Sequence, residues 1–238
     1  MVRDGVGPQS RLCAGLQDGP SVICRLLAAL VGLLVLGAAT AQARDDRLGA
    51  FDFYVLALSW SPTYCLGERA SPAQCRTATP HGFVVHGLWP QYERGFPDFC
   101  QSPAPYVPED VISGITDLMP SKGLVLHEWR RHGTCSGLSP AAYFSTVRRA
   151  SERVKLPEAL RAPSAPLTMT PAEVESAFQT ANPGLAADMI AVSCSDGRLK
   201  EVRVCMTRDL AFTSCPEVDR RACGGGRRLD VPPSRPLP

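Results

Sequence analysis

Apolar positions along the chain fall into short runs with two different periods. Phe51 to Trp60 (FDFYVLALSW) is rich in aromatic and β-branched residues and stops at Ser61-Pro62, which predicts a buried strand. Phe83 to Val85 predicts a short strand running into Gly87, and Met189 to Ser193 and Leu199 to Met206 predict two more. Between them the spacing turns helical. Val111, Ile112, Ile115 and Leu118 mark a helix over Pro108 to Met119, with Pro120 beyond its end. Leu124 to His132 predicts a second helix, closed by Gly133. Ser139-Pro140 opens a third that runs to about Val154 and carries Tyr143, Phe144 and Val147 on one face. Thr170-Pro171, with Glu173 as a capping-box acid, opens the last, which ends at Pro183-Gly184. Residues 61–80 and the proline-rich stretch from Gln91 to Pro108 predict loops. Strands at both ends with helices grouped between them favour an α+β domain over alternating β-α-β units, with a central antiparallel β-sheet and several α-helices packed against it.

The two ends of the chain stand apart from this pattern. Arg3, Arg11 and Arg25 precede an apolar run, Leu26 to Ala39, which leads to Ala41-Gln42-Ala43. A basic start, an apolar stretch short for a bilayer and an A-x-A site predict a signal peptide over residues 1–43, cleaved near Ala43. An uncleaved anchor is the alternative, and the A-x-A site favours removal. The long basic region suggests a start codon downstream of Met1. The folded domain is expected over 44–224, and residues 225–238, rich in glycine, arginine and proline, are expected to be a disordered tail.

Charge narrows the choice of partners. The chain carries 25 Lys and Arg against 23 Asp and Glu, and without the leader 22 against 21. A nearly neutral surface offers no general attraction for a polyanion, so any phosphate recognition must come from a local cation cluster. Cysteine use agrees with export. Cys65, Cys75, Cys100, Cys135, Cys194, Cys205, Cys215 and Cys223 remain after the leader, an even number that predicts four disulfides, although spacing alone leaves their pairing open. A zinc site is the rival reading, and the absence of any C-x-x-C pair argues against it.

All four histidines fall into two segments, HGFVVHGLWPQ (His81 to Gln91) and HEWRRHGTC (His127 to Cys135). Imidazole exchanges protons near neutrality, so this clustering predicts one acid–base site assembled from both. The second segment is one residue away from the zincin pattern H-E-x-x-H. His127 and His132 are five apart, however, which turns them roughly 140° from each other on a regular helix and rules out joint chelation. If the helix ends near His132, the last turn can unwind, and His127, Glu128, Arg131 and His132 can line one cleft with His86 opposite. Three imidazoles, a carboxylate and a guanidinium suit phosphoryl transfer without a metal ion or other cofactor. Neither a serine nor a cysteine nucleophile is evident, so the substrate must supply one; RNA has its 2′-hydroxyl and DNA has none.

Together these residues resemble the T2 ribonucleases. FVVHGLWPQ is similar to that family's first active-site segment, HEWRRHGTC to its second, and FDFYVLALSWSPTYC (Phe51 to Cys65) to its opening strand. The resemblance implies an exported endoribonuclease of low base specificity that cuts single-stranded RNA, not DNA, to 2′,3′-cyclic phosphate ends. His132 would be the general base and His86 the general acid. His127 would bind the phosphate, with Glu128 beside it stabilising the transition state. Trp89 would stack on the base 5′ of the scissile phosphate, helped by Tyr92 or Phe96. The implied disulfides are Cys65–Cys75, Cys100–Cys135, Cys194–Cys223 and Cys205–Cys215. A periplasmic or secreted monomer is expected, without stable membrane association once the leader is gone.

The chain departs from that pattern at three positions. Arg131 stands where the family usually has lysine, keeping the charge but replacing a point charge with a planar fork. Gln91 stands where some fungal members have an aspartate that selects purines. Leu124 stands where some have an aromatic for the 3′ base. Blander readings hold elsewhere: Trp60 and Trp129 read as core. His81, at an odd offset from His86, would point to the opposite face of a strand. A binding protein of the same fold without turnover and a zinc hydrolase are the alternative function classes.

Overall fold

In the computed structural model residues 48–68, 70–78, 80–220, 222–224 and 226–234 are described. The expected leader, residues 1–43, lies outside them. The strands are β1 (Phe53–Trp60), β2 (Phe83–Gln91), β3 (Leu167–Met169), β4 (Ile190–Ser195), β5 (Arg198–Met206) and β6 (Leu229–Val231). The helices are α1 (Ser61–Cys65), α2 (Pro72–Cys75), α3 (Glu109–Ser113), α4 (Lys122–Arg131), α5 (Pro140–Arg153), α6 (Glu158–Arg161), α7 (Pro171–Ala181) and α8 (Pro216–Asp219). The fold is α+β, as the pattern predicts.

The sheet runs β2-β1-β5-β6-β3, with β4 also paired to β5. Every ladder is antiparallel except a single parallel pairing, Arg198 with Asp230, between β5 and β6. β1 lies in the interior and is buried along almost its whole length, which is why it reads as a continuous apolar run. Tyr54, Leu56, Leu58, Val85, Leu88, Val202, Val204 and Met206 share one core with Tyr143, Phe144 and Val147 of α5 and with Val174 and Phe178 of α7. Phe53 and Val55 meet Cys205, Cys215 and Val218 in a smaller cluster. Trp60 and Trp129 are core, and their indole N–H groups donate to the carbonyls of Pro232 and Pro105.

Local signals place the long helices well. Ser139 Oγ accepts from Ala142 N to open α5, and Thr170 and Glu173 form the capping box of α7. Four disulfides join the pairs that the family resemblance implies: Cys65–Cys75, Cys100–Cys135, Cys194–Cys223 and Cys205–Cys215.

Several boundaries differ from the expectation. β2 continues six residues past Val85 to Gln91, so His86, Trp89 and Gln91 lie on a strand and not in a loop. Pro90 is tolerated there because β2 is an edge strand, where one missing N–H need not break a ladder. The helix expected to reach Met119 stops at Gly114, and turns carry Ile115 and Met119 into the core. Residues 61–80 hold two short proline-opened helices clipped by Cys65–Cys75. Gly133 is not the left-handed stop of α4; the chain passes into a 3-10 turn, Gly133–Ser136, and Gly137 takes φ +75°. Gly133 serves packing instead, since a Cβ on it would sit 2.4 Å from the Trp129 ring.

The tail expectation also needs correction. Leu229–Val231 form β6, with both apolar side chains fully buried. Three residues alternating Leu-Asp-Val are too few to stand out in a stretch dominated by glycine, arginine and proline, and their order comes from pairing with β3.

Candidate active site

Two β-bulges shape the site. The β1–β2 register passes from Ala57↔Gly87 to Leu58↔Val85, so His86 is an extra, unpaired residue. The β4–β5 register passes from Ser193↔Glu201 to Cys194↔Leu199, which leaves Lys200 unpaired. Val85 and Leu88 both point into the main core, so the two residues between them occupy the opposite face. Bulges re-aim side chains in this way beside functional sites. Opposite them, α4 carries His127, Glu128 and Arg131, and His132 caps its end.

These elements enclose a cleft of about 340 Å³ lined by His86, Trp89, Gln91, Phe96, His127, Glu128, Arg131, His132 and Arg203, among others. His86 and His127 also line a larger groove of about 810 Å³ that carries Ser59, Thr63, Ser121, Leu124, Arg198 and Lys200. The two cavities therefore meet at the histidines. Trp89 stands at the centre of the smaller one: the His86 and His132 rings each lie 5.3 Å from its ring. Its Nε1 donates to Glu128 Oε2 at 2.7 Å, and the Arg203 guanidinium sits 5.3 Å over its ring.

The two imidazoles occupy opposite electrostatic settings. His86, about a third exposed, places Nδ1 2.7 Å from Glu201 Oε2 and Nε2 3.5 Å from Glu128 Oε1. Burial opposes its protonation, but the hydrogen bond to Glu201 and the two carboxylate charges outweigh that and raise its pKa. His132 is 7% exposed. Burial, then the Arg131 charge and the other two imidazoles push its pKa down to about 3, and its Nδ1 is buried without a hydrogen-bond partner. His127 is lowered as well, by burial and then by Arg131, His86 and Arg130.

The carboxylates diverge too. Glu128, 1% exposed, is pushed by burial up to about 7 despite the nearby imidazole. Burial opposes ionisation of Glu201 as well, yet the hydrogen bond and charge of His86, with Arg203, hold it down to about 2. Near pH 6 the cleft thus holds a protonated His86, a neutral His132 and a carboxyl able to carry a proton at Glu128. Pairs of groups driven apart in this way mark acid and base roles.

Of the expected site residues, His86, Trp89, Gln91, Phe96, His127, Glu128, Arg131 and His132 converge on the cleft. Tyr92 does not; its ring packs against the main core. Leu124 lies in the larger groove. His81 precedes β2 and lines neither cavity. Glu201 and Arg203 were not anticipated. Their signal was available: opposite charges two apart on a strand share one face, which a buried strand bears only for a reason. Among the described residues no cluster of three or more His, Cys, Asp or Glu is arranged to hold a metal ion.

The Ribonuclease T2 family profile matches residues 51–215. A ribonuclease of Aeromonas hydrophila is 45% identical over 116 residues, 46% of this chain and 50% of its own length. Ribonuclease DdI of Dictyostelium discoideum is 30% identical over 225 residues, 84% of this chain and 96% of its own. The chain thus spans half of the first relative and nearly all of the second. Among solved structures, RNase NT in complex with 5′-AMP is similar, with a TM-score of 0.62 at 26% identity, covering 77% of this chain and 98% of that one.

Proposed function

The chain belongs to the ribonuclease T2 family, by class a T2-type endoribonuclease, and on that premise we propose that it cleaves single-stranded RNA by proton transfer between His132, His86 and the substrate. The observation that carries this reading is the opposite setting of the two imidazoles: His86 held by carboxylates, His132 buried among cations.

In the first step neutral His132 takes the proton of the 2′-hydroxyl. The freed oxygen forms a bond to phosphorus, the bond from phosphorus to the 5′-oxygen breaks, and His86 gives its Nε2 proton to that leaving oxygen. The products are a 2′,3′-cyclic phosphate and a 5′-hydroxyl. Water then opens the ring with the roles reversed, His86 as base and His132 as acid, to leave a 3′-phosphate. His127 and Arg131 face the non-bridging oxygens, and Glu128 donates a hydrogen bond to them while it carries its proton.

The base 5′ of the scissile phosphate occupies the cleft of Trp89, Gln91 and Phe96, and the leaving strand crosses His86 into the groove of Leu124 and Lys200. An amide at Gln91, which can donate or accept, supports low base specificity. Four disulfides and the leader-like start support export to the periplasm or beyond. A monomer suffices, since one chain supplies every group named. The test is multiple turnover of single-stranded RNA with chelator present. Cyclic-phosphate ends and intact DNA support the reading; RNA binding without cleavage overturns it.

A further inference from the structure

We propose that Glu201 is the positioning residue of the acid histidine, its carboxylate fixing the His86 ring so that Nδ1 is occupied and only Nε2 is left to face the phosphate. The inference rests on the two-histidine reading above and adds a residue to it. Neither of the two histidine segments contains Glu201; it lies 115 residues beyond His86 in the chain.

The geometry is that of a built support. Glu201 is 1% exposed, and each of its oxygens is committed. Oε2 meets His86 Nδ1 at 2.7 Å and lies 3.4 Å from Ser59 Oγ, while Oε1 accepts from Arg203 Nε at 2.8 Å. The bulge at Lys200 places Glu201 on the sheet face that the bulge at His86 also uses, and Ser59 pairs with Glu201 across β1–β5. A buried carboxylate has no solvent to stabilise it and survives only if paired. Here the pairs are the ring it holds and the Arg203 guanidinium over Trp89. A carboxylate on the second ring nitrogen selects the tautomer and orientation of an imidazole.

The charged groups facing His86 come from two elements. β5 contributes Glu201 and Lys200, and α4 with its cap contributes Glu128, His127 and His132, while Arg131 and Arg203 line the same cleft. Glu128 faces Nε2, the reacting side, and Glu201 alone occupies Nδ1.

The test is the pH dependence of kcat/KM for Glu201→Gln and Glu201→Asp, with a nitrogen-resolved NMR titration of His86 in the unmodified protein. Glutamine keeps an acceptor but loses the charge. We expect the basic limb of its profile, set by His86 as acid, to fall by about 1 to 3 pH units, with kcat down at pH 7 and KM little changed. Aspartate keeps the charge and should restore the limb while kcat recovers in part. In the unmodified protein the neutral ring should carry its proton on Nδ1. A basic limb unmoved in the glutamine variant overturns the proposal, and so does a neutral ring protonated on Nε2. The NMR readout needs no turnover and no variant that must fold. An unmodified protein that cannot cleave RNA would therefore refute the two-histidine reading while still testing Glu201.

Discussion

Gly87 and Glu128 pack so closely that a Cβ on the glycine would lie 2.1 Å from Glu128 Oε2 and 2.4 Å from Trp89 Nε1. The absent side chain is what lets the Trp89–Glu128 hydrogen bond form beside His86. In Gly87→Ala the methyl group must displace either the carboxylate or the indole. The expected outcome is a fall in kcat of a hundredfold or more and a loss of about 1–3 kcal/mol of stability. Turnover and thermal melting check it; an alanine variant of ordinary activity would show that Glu128 can move without consequence.

His86→Ala and His132→Ala are each expected to lower kcat by about 10²–10⁴. Chelator should leave the unmodified enzyme unchanged. In the unmodified enzyme kcat/KM should rest on a plateau bounded below by protonation of His132, near pH 3, and above by loss of the raised His86 proton. Loss of the Glu128 proton near pH 7 falls within or beside the upper limb. A single-turnover pH series on a dinucleotide substrate reads both limbs.

Glu128 links stability to pH with a definite sign. Its folded pKa lies above the unfolded value of 4.5, at about 7, so its contribution is fully present below pH 4.5 and is lost as pH rises through 7. For a side chain 1% exposed the loss is about 3 kcal/mol. Glu128→Gln cannot ionise and should avoid it. The variant should gain stability over the unmodified protein between pH 5 and pH 8 while losing activity. Denaturant unfolding at the two pH values measures the difference, and an equal gap at both would contradict the assignment.

Arg131 acts through charge and through its planar group. The guanidinium lies 6.0 Å over the Phe96 ring and 5.9 Å over the Phe99 ring, and it helps to depress His132. Arg131→Lys should keep activity within about tenfold, because the charge survives. Arg131→Ala should raise KM and move the acidic limb upward, since a cation that disfavoured protonation of His132 is gone. Steady-state kinetics across pH separates the two variants.

Much of the site was legible before any coordinate. HEWRRHGTC predicted a helix that ends at its second histidine, and α4 does end there, with His132 as its cap. What escaped was whatever needed a partner far along the chain. The resemblance implied Tyr92 beside Trp89, but Tyr92 follows the end of β2 and packs against the core, while Leu124, implied for the 3′ base, lies in the neighbouring groove. The opposite charges of Glu201 and Arg203 marked their strand, but the partner that Glu201 serves, Nδ1 of His86, lies 115 residues away and is met only in the folded sheet.

What the chain specifies locally is the apolar interior of β1, the capped helices α5 and α7, eight cysteines beyond residue 43 and the four clustered imidazoles. These depend on composition and on interactions within a few residues, which periodicity and capping chemistry report directly. The bulge that turns His86 toward the cleft, the pairing of β6 and the carboxylate behind His86 are settled only in the tertiary structure. Register and cross-sheet contact are settled when distant strands meet, and a one-residue slip in either would send the same side chain to the other face.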